Sequence, residues 1–89
     1  MSIKVLIVED NLLQAWNIEK MLEELNNYEV LKICQTADIA LEYIERKQPD
    51  VLLVDICLLG EMNGIELAQT IIPKNIPVIF ITQYEDDDT

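Results

Sequence analysis

Apolar residues along this chain follow two rhythms. Short runs rich in β-branched residues occur at Ile3-Lys4-Val5-Leu6-Ile7-Val8, at Val51-Leu52-Leu53-Val54 and at Val78-Ile79-Phe80-Ile81-Thr82. All three predict strands, and the unbroken Val51–Val54 run, bounded by turn residues, predicts one buried on both faces, the habit of a parallel sheet covered by helices. Tyr28 to Cys34 is more mixed, with Val30, Ile33 and Cys34 apolar around Lys32, and predicts an edge strand. Between the runs the period lengthens. Ala15, Ile18, Leu22 and Leu25 recur at steps of three and four with Glu19, Lys20, Glu23 and Glu24 among them, predicting an amphipathic helix over 11–25 closed by Asn26-Asn27. Thr36 is a candidate cap for a second helix, whose inward stripe is Ala37, Ala40, Leu41 and Ile44 and which ends at Arg46-Lys47 and Pro49. A third helix takes Ile65, Ala68, Ile71 and Ile72 as its apolar face and stops at Pro73. The order β-α-β-α-β-α-β predicts an α/β protein with a doubly wound parallel sheet joined by right-handed crossovers.

Composition narrows the function classes. With 89 residues the chain is one domain at most, and 51% hydrophobic residues are too many for a disordered segment. No apolar run approaches the ~18 residues of a membrane span. Met1-Ser2-Ile3-Lys4 leads straight into a strand without a cleavage-site pattern, so a soluble, cytoplasmic protein is expected. Seventeen acidic residues against six basic ones give a net charge of −11, which repels a phosphate backbone and excludes direct nucleic-acid contact by this segment. The absence of histidine removes Ser/His triads, histidine metal sites and any phosphohistidine step within the chain. What remains is carboxylate chemistry.

The carboxylates stand in telling places. The first strand ends on Glu9-Asp10, the third on Asp55, and the last on the hydroxyl of Thr82. In open α/β sheets ligands bind beyond the carboxyl ends of the strands, where the winding reverses. If the first and third strands are neighbours there, Glu9, Asp10 and Asp55 converge across a strand spacing of ~4.8 Å. Like charges that close raise at least one pKa unless a cation intervenes, and Mg²⁺ suits a few carboxylates with room for water. Each acid also has a purely structural use: Asp10 as the cap of the first helix, Glu9 as a solvated strand end, Asp55 as an acceptor for loop amides.

Glu9-Asp10 after the first strand, Asp55 after the third, the glycine-containing loop to Asn63-Gly64 and Thr82 after the fourth together resemble the receiver domain of two-component response regulators. The resemblance runs the whole length, residues 1–89. It implies a flavodoxin-like fold with strand order 2-1-3-4. It also implies Asp55 as phosphoacceptor, Mg²⁺ held by Glu9, Asp10, Asp55 and the backbone carbonyl of Cys57, and Thr82 as the phosphoryl-binding switch. The implied partners are a histidine kinase or phosphotransfer protein and an output domain or effector, with no turnover of an external substrate.

The chain departs from that family's pattern in several ways. A fifth strand ending in lysine and two further helices have no counterpart here, and Lys4, Arg46, Lys47 and Lys74 lie near the amino ends of strands. Asp86 to Asp88 would suit the first turn of another helix, so the sequence reads as a piece cut at a helix start. The last strand is then an exposed apolar edge, and Trp16, Met21 and Leu25 lie uncovered on the first helix, which predicts self-association. Leu59-Gly60 stands where the family has a proline. Cys34 and Cys57 are expected to be free thiols, about 10 Å apart across the first strand. Three other functions fit these residues less well. An Asp-nucleophile phosphohydrolase of the haloacid-dehalogenase type wants an acid at the position of Cys57. A flavodoxin-like cofactor binder wants a phosphate cradle where Glu9-Asp10-Asn11-Leu12-Leu13 stands. A degenerate receiver would act only as a protein-binding module.

Overall fold

The computed structural model describes residues 2–81. The chain forms β1 (Ile3–Val8), α1 (Leu12–Glu24), β2 (Tyr28–Cys34), α2 (Ala37–Arg46), β3 (Val51–Asp55), α3 (Gly64–Thr70), a 3-10 turn (Ile72–Lys74) and β4 (Val78–Ile81). All strand pairs are parallel, in the order β2-β1-β3-β4. The mixed strand β2 is an edge and β1 and β3 are central, while the wholly apolar β4 is the other edge among the described residues, with Ile79 and Phe80 exposed.

Alternation along the central strands divides the core between the two faces of the sheet. Leu6 and Val8 of β1 and Leu52 and Val54 of β3 pack with Ala37, Ala40 and Ile44 of α2 and with Leu67 and Ile71. Val5 and Ile7 point the other way, onto Ala15, Ile18 and Leu22 of α1. One helix on one face and two on the other is the doubly wound arrangement, and it makes the boundary between β1 and β3 the place where the winding reverses. Burying each of these large side chains contributes ~1.5–3 kcal/mol.

The helix starts are capped by side chains. Asn11, Thr36 and Asn63 accept hydrogen bonds from the backbone N–H groups of Gln14, Ile39 and Glu66 respectively. Asn63 and Glu66 reciprocate, each accepting from the other's backbone N–H, and form a capping box. The cap of α1 is therefore Asn11, one residue later than the structural alternative for Asp10, and Asp10 is released from that duty.

The third helix differs from its expected pattern. Of the expected apolar face Ile71 is buried, but Ile65 and Ile72 are exposed, and Gly64 and Leu67 turn inward with Ile71 instead. Steps of three and four connect 64, 67 and 71 as well as they connect 65, 68 and 72, and the requirement for glycine at 64 selects the first set. A Cβ on Gly64 would collide with the Asp55 carbonyl oxygen and stand 3.0 Å from Val54 Cγ1. Pro73 does not stop an α-helix but lies inside the 3-10 turn, where proline's missing N–H is harmless. Trp16 and Met21 on α1 and Leu25 at its C-cap are exposed, as expected. Thr82, Tyr84 and the acidic run Asp86 to Asp88 lie outside the described residues.

Candidate metal and phosphoryl site

The register of the central strands brings the acids together. Val8 of β1 pairs with Val54 of β3, so the next residue of each strand, Glu9 and Asp55, leaves the sheet side by side. The Glu9 N–H donates to the Cys34 carbonyl at 2.9 Å and the Ile56 N–H to the Ile81 carbonyl at 3.1 Å, which extends both strands to the rim. Each of Glu9, Asp10 and Asp55 offers a carboxylate oxygen, and these three atoms lie within 4.8 Å of one another. Glu9 is fully buried and Asp55 nearly so, while Asp10 is half-buried.

The surrounding amides orient two of the carboxylates and leave one oxygen without a partner. Asp55 Oδ1 accepts from the Cys57 N–H at 2.9 Å, inside a turn closed by Leu58 N–H donating to the Asp55 carbonyl at 3.1 Å. Glu9 Oε2 accepts from the Asn11 N–H at 3.1 Å. Glu9 Oε1 is buried without any hydrogen-bond donor. Burial pushes the Glu9 carboxyl from its ordinary 4.5 up to about 7; the Asn11 N–H opposes this and the Asp55 charge adds to it.

The three acids open onto a cleft of about 380 Å³ that is also lined by Asn11, Cys57 and Leu59. None of the lining residues is a cation. An acceptor left bare in a buried position costs ~1–3 kcal/mol, and more when it is charged. A hard divalent cation satisfies it, so this donor set of carboxylate oxygens fits Mg²⁺.

The structure thus brings together Glu9, Asp10 and Asp55, with Cys57 on the same wall. Thr82 lies outside the described residues. Sequence reasoning missed Asn11 and Leu59 as lining residues. Asn11 carried a usable signal, since an asparagine immediately before the periodic apolar stretch is a preferred cap. Leu59, exposed on an irregular loop, carried none. Both cysteines are free. Burial raises the Cys34 thiol to about 11, against a smaller opposing pull from Lys32, whereas Cys57 is exposed at the cleft.

Comparison with known proteins settles the family. The family model for the response regulator receiver domain matches residues 5–89. The chain belongs to that family. A response regulatory protein of Yersinia pestis is 33% identical over 85 residues, covering 94% of this chain and 35% of its own length. Among solved structures, the signal receiver domain of a modulated diguanylate cyclase from Desulfovibrio desulfuricans superposes with a TM-score of 0.85 at 39% identity, over 93% of this chain and 66% of that one. The response regulator PhyR from Brucella abortus gives 0.84 at 40% identity, over 94% of this chain and 35% of that one. The chain spans about a third of the length of the curated relatives it matches, as the Yersinia protein illustrates. It is a receiver domain of two-component signalling, with the acidic cluster of that family in place.

Proposed function

We propose that this receiver domain accepts a phosphoryl group on Asp55 from a histidine kinase or phosphotransfer protein, and passes the change to an effector or output domain through its surface. The observation that carries this reading is the buried, donorless Glu9 Oε1 beside the nearly buried Asp55 carboxylate at the winding reversal. Glu9, Asp10 and Asp55, with the Cys57 carbonyl, would hold Mg²⁺. Bound there, the ion would supply neutralisation of the charge on the transferring group.

The remaining demands fall on this chain's own residues. The Cys57 N–H fixes Asp55 through Oδ1, which leaves Oδ2 as the nucleophilic oxygen. As the new phosphorus–oxygen bond forms, the phosphorus–nitrogen bond of the donor phosphohistidine breaks and its electron pair returns to the imidazole. Cys57 and Leu59, on the loop that leaves β3, line the cleft beside Asp55. Thr82 is the proposed ligand of the phosphoryl oxygens. The domain is modified on its own side chain and turns over no external substrate, and its proposed compartment is the cytoplasm.

The test is incubation with acetyl phosphate and Mg²⁺ followed by intact-mass measurement, on this chain and on Asp55→Asn. The expected result is a gain of one phosphate on the former and none on the latter. Equal phosphate on both would remove Asp55 from the role.

A second reading is supported by one observation, the lack of any lysine or arginine among the described residues that line the cleft. On that reading the domain binds protein partners without phosphorylation. It predicts Mg²⁺ binding but no mass gain, including in a longer chain that supplies a lysine. We also propose self-association through β4, which is a sheet edge among the described residues and whose Ile79 is 54% exposed. Sedimentation velocity should show a dimer that an Ile79→Lys substitution abolishes; a monomer at millimolar concentration would rule it out.

A further inference from the structure

The other edge of the sheet carries a groove of its own. β2 ends the sheet, so its outer side pairs with nothing among the described residues. A bulge at Leu31 shifts the register from Val5 opposite Val30 to Leu6 opposite Lys32. Lys32 therefore shares the face of Leu6, the face covered by α2. On α2, Ile39, Glu42, Tyr43 and Arg46 stand three, four and seven residues apart and form one stripe. Lys32 and this stripe enclose a groove of about 310 Å³.

Charge and dimensions say what fits. Lys32 and Arg46 are two of only six basic residues in a chain of net charge −11, and neither forms an ion pair among the described residues. Tyr43 packs partly into the core, and Ile39 is 39% exposed, so both give the groove an apolar wall. From Ile39 to Arg46 the helix rises ~10 Å, the length of about three strand residues. A strand added there would place two successive helix-facing side chains in the groove. One would meet Ile39 and Tyr43, the other Lys32 and Arg46. Glu42 at the rim disfavours a uniformly acidic ligand.

We propose that this groove binds an extended peptide segment of a partner protein, which joins the sheet beside β2. The segment sets an apolar side chain on Ile39 and Tyr43 and a carboxylate between Lys32 and Arg46. Backbone pairing supplies affinity, and the two pockets of the groove supply specificity. β1 separates this edge from Asp55, so the site works independently of the acidic cleft.

The probe is a fluorescein-labelled threonine heptapeptide with leucine at its second position and aspartate at its fourth and sixth, beside a twin with lysine in place of aspartate. Fluorescence anisotropy with the full chain should show binding of the acidic peptide only. Lys32→Glu and Arg46→Glu, both exposed substitutions, should each weaken it at least about tenfold, and Asp55→Asn should leave it unchanged. Amide shifts in NMR should map to β2 and α2, with new exchange protection on the outer side of β2. The proposal is overturned if neither peptide binds at millimolar concentration, if the shifts map to α1 and β4, or if inorganic phosphate displaces the peptide from an otherwise unshifted β2.

Discussion

Glu9 is a buried acid with one oxygen bonded to the Asn11 N–H and the other without a donor. Its carboxyl titrates near 7 in the folded chain against an ordinary 4.5. Below about 4.5 both folded and unfolded chains hold the proton and Glu9 contributes no penalty. Between about 4.5 and 7 the unfolded chain ionises while the folded one does not, so stability falls as pH rises, and the penalty is complete above about 7. Mg²⁺ competes with that proton, so its affinity should climb up to about pH 7 and then level. Melting curves from pH 5 to 8, with and without Mg²⁺, check both trends. Glu9→Gln should flatten the metal-free decline and lower Mg²⁺ affinity at least about tenfold. An identical pH slope in the two proteins would mean that Glu9 does not titrate in this window.

At the scale of elements, the site depends on how two loops leave the sheet. The turn after β3 closes through the Asp55 carbonyl, and α3 begins so near that oxygen that only glycine fits at position 64. Gly64→Ala should cost about 1–3 kcal/mol in urea unfolding and shift the Asp55 resonance, since the clash is with backbone that cannot rotate away. Gly60 offers a useful contrast. It has φ +117° but open space around it, so a side chain there strains the backbone without touching Asp55. Gly60→Ala should therefore lower stability while leaving Mg²⁺ affinity intact. Equal losses of Mg²⁺ affinity in both variants would contradict this division.

At the scale of the whole molecule, a net charge of −11 makes the folded state repel itself. Monovalent salt should raise the melting temperature gradually by screening, with no saturation. Millimolar Mg²⁺ at matched ionic strength should raise it further and saturably, because a specific site binds only the folded chain. Asp55→Asn should keep the first response and reduce the second. If KCl and MgCl₂ curves coincide at equal ionic strength, the acids hold no specific ion.

Much of this was legible in the chain itself because hydrophobic period and strand composition are local. The apolar runs Val5–Val8 and Val51–Val54 announced buried strands, the mixed Tyr28–Cys34 run announced an edge, and the acids ending two of those runs announced the rim at which they meet; the equally apolar Val78–Ile81 run did not announce that it would be an edge. The sequence determined the elements, their order and the carboxylates of the cleft. Only the tertiary structure decided which face of α3 turns inward, that Glu9 keeps a buried oxygen without a donor, and that Lys32 faces α2 across a bulge. Each of these depends on atoms distant along the chain approaching within a few ångströms, a quantity that no local period encodes.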